Sequence, residues 1–210
     1  MTSSSAIATP SDVLQFWFGA NTPTDAAAHS MKAQWFTKSD AFDAEVSQRF
    51  GATIEAARKG ELDGWASEPL GWLALLIVLD QFTRNVYRGQ PDSFAGDAAA
   101  MRWAERGVDQ GWDQALPFMA RAFVYLPLEH AEDMARQDRS VKAFQALLAD
   151  AKSQEASEET LAVINSNLDY AERHRDVIRS YGRFPHRNAI LGRASTPEEE
   201  IYMAQPGAGF

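Results

Sequence analysis

The chain of 210 residues contains no cysteine. That excludes disulfides, thiolate nucleophiles, zinc fingers and iron–sulfur clusters together. Histidine is scarce: His29, His130, His174 and His186 are all there are. Any metal would rest on these and on carboxylates. No Glu-x-x-His or His-x-x-x-His pair stands at helical spacing, so neither a metal nor another cofactor is expected. Positive charge is also short, with 20 Lys and Arg against 29 Asp and Glu, a formal net charge of -9. Such a chain is repelled by nucleic-acid phosphates and by anionic lipid, which argues against both as partners. Its longest strongly apolar stretch, 70–79, is half of what a membrane span needs, and the first residues lack the basic and apolar regions of a signal peptide. A cytoplasmic protein is the expectation. Phosphate loops, dinucleotide fingerprints and nucleophile elbows are missing as well.

What is present reads as an ordinary globular chain, 45% hydrophobic and 23% charged, long enough for one domain over 1–210 with a substantial core. Helical spacing dominates and no alternating strand stands out. A short helix is expected from Ser11 or Asp12 to Gly19, with Pro10 just before it, and another carries Trp35 and Phe36. Phe42, Val46, Phe50, Ile54 and Ala57 share one face of a helix over 40–58, closed near Gly60. The segment 69–87 is apolar all round in its first half and predicts a central buried helix. Further helices are expected over 94–110, over 118–137 (where Pro127 kinks one helix or opens a second) and over 140–152. Ser157 caps a long helix ending at Tyr181, and Thr196 with Pro197 opens a last one. The fold class is therefore all-α, an antiparallel array of about nine to eleven helices joined by short connections.

Four groups of residues stand out for chemistry. Asp80, Arg84 and Arg88, each four residues apart, share a helix face with Gln81 and Asn85 close by, at the end of an apolar run. Their charges demand partners or a ligand, and an arginine there suits bidentate capture of an anion. Glu129 and His130 follow Pro127; Phe123, Leu126, His130 and Met134 fall near one stripe, which turns His130 inward. His174 lies on the apolar stripe of the long helix, and two inward histidines need partners. Arg183, Phe184, Pro185, His186, Arg187 and Asn188 form a basic loop with an apolar anchor, a usual setting for a site on a rigid scaffold.

The blocks LALLIVLDQFTRNVYRG, VYLPLEHAED and HRDVIRSYGRFPHRNAILGRASTPEEEIYM, with VLQFWFG near the start and Gly-Phe at the end, resemble the signature blocks of a bacterial family known as domain of unknown function 924. The likeness spans nearly the whole chain. It implies a helical fold similar to tetratricopeptide-like superhelices and assigns no activity. Asp80, Gln81, Phe82, Arg84, Asn85, Glu129, His130, His174 and the six residues 183–188 fall on motif positions. Thr83 departs from the pattern, where members often carry proline.

Three readings follow. In the preferred one, motif residues from four segments converge on a pocket for a small anionic ligand, a carboxylate or phosphate. Arg84, Arg88 and Arg187 would grip the anion with Asp80, Asn85, Arg183, His186 and Asn188 around it. His130 or His174 would act as acid or base, oriented by Glu129 or Asp80. In the second, a tetratricopeptide-like groove binds a protein or peptide without catalysis. In the third, the motif residues only hold helices in register. Whether the chain is an enzyme, and its oligomeric state, are not legible in the residues.

Overall fold

The computed structural model describes residues 6–35 and 37–209; Phe36 and the terminal Phe210 lie outside the described residues. Among the described residues there are nine helices and several 3-10 turns, and no strand. No described helix is long and apolar enough to cross a membrane.

Helix α1 (Pro10–Phe18) starts earlier than the sequence suggests. Thr9, not Ser11 or Asp12, caps it in a reciprocal capping box with Asp12, and Pro10 is its first residue. Proline lacks the N–H that a first helical residue leaves unpaired, and it forces the residue before it into the extended conformation a cap requires. Helix α2 (Asp25–Trp35) follows. Helix α3 (Asp40–Arg58) has the expected bounds, with Val46, Phe50, Ile54 and Ala57 buried. Gly60, at a φ of 78°, closes it by donating to the Ala57 carbonyl.

Helix α4 is the centre of the molecule. It begins as Pro69–Leu76, passes through a π-helical segment Ile77–Phe82 and ends as Thr83–Val86. It packs against α1, α3, α5 (Asp97–Asp109) and α6 (Phe118–Glu129). Every residue of its apolar run from 72 to 79 is buried, as a helix apolar on all sides must be. The approach of α5 is close: a Cβ on Gly96 would stand 2.0 Å from the Leu79 carbonyl oxygen. Helix α5 begins at Asp97 rather than near Phe94, because Pro91–Phe94 forms a 3-10 turn of its own.

Helix α6 is buried along 119–129. Helices α7 (Met134–Ser153) and α8 (Glu158–Tyr181) form an antiparallel hairpin against it. Helix α9 (Pro197–Met203), capped by Thr196, packs against the 3-10 turn Pro185–Arg187. Between α1, α3, α4 and α6 lies an aromatic cluster. Trp17 meets Phe82 and Phe123 edge-on at 5.7 and 5.6 Å, in the geometry such rings prefer. Trp35 closes the cluster from α2, 4.7 Å from Phe123. Its indole N–H donates to the Trp17 carbonyl at 2.9 Å.

Candidate functional site

The π-helical turn of α4 carries Asp80 and Gln81. An inserted π turn disturbs the regular hydrogen-bond ladder, and such turns recur at functional sites. Here side chains repair the ladder: the Thr83 hydroxyl donates to the Leu79 carbonyl at 2.8 Å and Arg84 Nη1 donates to the Asp80 carbonyl at 2.6 Å. Threonine at 83 thus does what a proline there cannot.

The Asp80 carboxylate is 1% exposed, yet it is fully engaged. His130 Nδ1 lies 2.8 Å from Oδ1, Gln81 Nε2 donates to Oδ2 at 2.6 Å, and Arg84 stands 3.1 Å away. Burial opposes its ionisation, but Arg84, His130 and these hydrogen bonds outweigh burial and hold the carboxyl well below the usual carboxylate range. Arg84 turns its other edge to Asp97 in a bidentate pair at 2.9 and 3.1 Å.

Helix α6 ends at Glu129, with His130 as its C-terminal cap, and α7 starts at Met134. The helix expected over 118–137, kinked or reopened at Pro127 and with His130 and Met134 on one stripe, is instead interrupted after Glu129, with Pro127 inside its first part. Gln137 donates to the Glu129 and Ala131 carbonyls at 2.6 and 2.7 Å, satisfying groups a broken helix leaves open. Asp133 caps α7 by accepting from the Arg136 amide.

That break aims His130 at Asp80 and Glu129 at His174. His174 Nδ1 lies 2.8 Å from the Tyr170 carbonyl and 3.2 Å from Glu129 Oε1. A carbonyl oxygen only accepts, so Nδ1 of His174 carries the proton; the same logic puts the proton of His130 on Nδ1, facing the Asp80 carboxylate. Each ring then has Nε2 as its basic nitrogen. Burial pushes His174 down to about 3, and His130 beside it acts in the same direction. Burial and Arg84 lower His130 too, against the pull of Asp80. Both imidazoles are neutral at pH 7.

Glu129 moves the other way. Burial, and then the negative charge of Asp80, push it up to about 8. Its Oε2 is buried and has no hydrogen-bond partner among the described residues. With Oε1 facing an N–H, the proton of the neutral carboxyl belongs on Oε2.

These groups line a cavity of about 580 Å³ between α2, α4, α6 and α8. Gln81, Arg84, Asn85, Arg88, Glu129, His130 and His174 all reach it, with Lys32, Trp35, Lys38, Leu126, Val163 and Tyr170 around them. Four cations and one neutral carboxyl line it, and Lys32, Arg84 and Arg88 are paired with Glu159, Asp80 and Asp97, and Asp43, carboxylates outside the lining. Asp80 stands behind the wall.

Other expected site residues are held by partners outside the cavity, including two that reach it. Asn85 and Arg88 are anchored by Asp43 of α3, at 2.7 and 2.9 Å; Arg88 lies past the end of α4 and does not share a partner with Asp80. Arg183 and Asn188 both donate to Glu199 and hold α9 in place. Glu132 accepts from the Phe184 amide at 2.8 Å and from Arg193 in a bidentate pair, which seats the Phe184 ring against His174, 5.5 Å between centroids. His186 is half-buried beside Phe184. Arg187 is sandwiched between Phe94 and Phe184, 4.7 and 4.5 Å from their rings. It lines a separate cavity of about 280 Å³, with Asp97, Glu132 and the far side of His130. The basic loop therefore supports His174 from behind and takes no part in the larger cavity.

Several cavity residues escape a reading of the sequence. Tyr170 is the exception with a signal, one turn before His174 on the same face of α8. Lys32 and Lys38 carry none, since only the docking of α2 onto α8, through His29–Thr160 at 3.0 Å and Lys32–Glu159 at 3.0 Å, brings them to the rim.

No curated protein matches the chain. A solved structure of a protein of unknown function from Agrobacterium tumefaciens is similar, with 36% sequence identity, a TM-score of 0.74, and coverage of 93% of this chain and 96% of that one. Residues 13–207 match the family described as "Bacterial protein of unknown function (DUF924)". With its motif blocks lying on the helices that build the cavity, the chain belongs to this bacterial family.

Proposed function

We propose that the cavity binds a small anionic molecule, a carboxylate or phosphate, and that Glu129 and His130 exchange a proton with it. The observation that carries this reading is the composition of the wall: Lys32, Lys38, Arg84 and Arg88 against a single carboxyl, itself uncharged. A cleft of one sign attracts a ligand of the other.

The proton-handling part rests on geometry. Two titratable groups whose surroundings push them apart are natural acid and base partners. Glu129 is the acid, with a proton on an oxygen that lacks a partner. His130 is the base, its Nδ1–H fixed by Asp80 and its Nε2 left to accept. The Asp80–His130 pair holds the tautomer, as a buried carboxylate does for a catalytic imidazole. Asp80 is a positioning residue here. His174, whose Nδ1–H goes to the Tyr170 carbonyl, packs its Nδ1 3.2 Å from Glu129 Oε1.

Isothermal titration of the protein with inorganic phosphate and with short carboxylates tests this. Binding is expected, and Lys38→Ala and Arg88→Ala should each weaken it about tenfold. Binding that survives both substitutions, or none at all, would reject the reading. Capture of extended peptides in place of small anions would favour the tetratricopeptide-like alternative.

A further inference from the structure

The cavity is graded from floor to rim. Glu129, His174 and His130 form the floor, with side chains 4%, 9% and 15% exposed. Arg88 and Lys32, at 41% and 44%, stand at the rim with the exposed Lys38. Between them part of the wall is apolar: Trp35 and Leu126 are buried, and Val163 and Tyr170 line the cavity from α8 together with the polar Ser166 and Asn167. The indole N–H of Trp35 is taken by the Trp17 carbonyl, so the ring offers this space only its apolar surface.

Charge follows the same gradient. At the floor, the one cation, Arg84, already serves two carboxylates, Asp80 and Asp97. At the rim, Lys32, Lys38 and Arg88 face three, Glu159, Asp43 and Asp40. A ligand anion pressed to the floor would meet Asp80 in a buried setting, where like charges repel strongly. At the rim it meets Lys38, which makes no salt bridge among the described residues, and keeps part of its hydration. The floor offers instead a carboxyl O–H, and Glu129 Oε2 has no hydrogen-bond partner among the described residues. A buried donor without a partner calls for an acceptor.

We infer that the ligand is amphiphilic: a carboxylate or phosphate at the rim, an apolar segment along Trp35 and Leu126, and a neutral hydrogen-bond acceptor such as an ester or amide carbonyl at Glu129. This rests on the proposal that the cavity is an anion site, and it adds the orientation and the chemical class. The cavity volume of about 580 Å³ falls in the range that holds compounds of this size.

Titration calorimetry with a matched set tests it: inorganic phosphate, acetate, hexanoate, adipate and monomethyl adipate. Adipate and its half-ester share a chain, and differ in whether the second end is charged. The half-ester should bind at least about tenfold more tightly than adipate, than acetate and than hexanoate. In Glu129→Ala that advantage over hexanoate should vanish while hexanoate itself still binds. Adipate binding as well as the half-ester, or acetate binding as well as hexanoate, overturns the inference and leaves the anion site standing. Failure of every compound, phosphate included, overturns both.

Discussion

His130 Nδ1 sits 2.8 Å from Asp80 Oδ1, across fifty positions of the chain. The contact joins the π-helical turn of α4 to the broken end of α6. Neither feature is needed for a helical array to pack. Together they place an imidazole and, one residue earlier, a neutral carboxyl at the floor of one cavity, with the buried Asp80 carboxylate behind it.

Asp80→Asn removes the charge that three side chains share. Arg84 and His130 lose their common partner in a buried setting, and breaking such a network is strongly destabilising. The loss should be about 3 kcal/mol, read by urea unfolding at pH 7. A variant as stable as the parent would mean that Asp97 alone compensates Arg84.

Glu129 makes stability depend on pH. Its carboxyl is raised from 4.5 to about 8 in the folded protein. Between those values the folded state holds a proton that the unfolded chain releases, so stability falls as pH rises from about 4.5 to 8. Asp80 and Glu132 act oppositely: both are depressed, so their contribution is present above their ordinary range and is lost as pH falls through the lowered one. Glu129→Gln should flatten the descent on the neutral side and leave the acid limb in place. At pH 8 its melting temperature should exceed the parent's by roughly 5 °C, with the difference gone near pH 4. Parallel curves from pH 4 to 8 would contradict the assignment.

Gly96→Ala tests the seat of α5. The added methyl would stand 2.0 Å from the backbone oxygen of Leu79, so the turn before α5 must move and carry Asp97 away from Arg84. A loss of about 3 kcal/mol is expected, at the upper end of overpacking costs. Circular dichroism melts would show it; an unchanged melt would place α5 farther from α4 than described.

Glu132→Gln tests the support behind His174. Glu132 holds Arg193 and the Phe184 amide, and hydrogen bonds to charged groups contribute about 1.5–3 kcal/mol each. We expect a loss of about 2 kcal/mol together with shifted His174 ring resonances in NMR spectra, because Phe184 packs on that ring. Unmoved resonances would separate the loop from the site.

Much of this was legible in the residues, and the misses have physical causes. Helix α3 and helix α8 showed themselves because spacing, caps and closing glycines agreed. The convergence of Asp80, Arg84, Glu129, His130 and His174 followed from polar residues standing on otherwise apolar faces. The π turn left no trace, since the period of an apolar run is the same with or without it. The end of α6 was hidden because Ala131 and Glu132 continue a helix well, and what stops it is Asp133 capping the next one. Pairings such as Arg88 with Asp43 depend on which helix docks where, which no local pattern records. The basic loop looked like part of the site because its donors were counted before their acceptors, Glu132 and Glu199, were known to be beside them.

The most direct test is a carbon-13 NMR titration of the Glu129 side-chain carboxyl, with and without inorganic phosphate. The account predicts a midpoint near 8 in the free protein and a higher one with phosphate bound, because an anion in the cavity opposes a second negative charge. A midpoint near the ordinary 4.5, unmoved by phosphate, would contradict both the neutral carboxyl and the anion site.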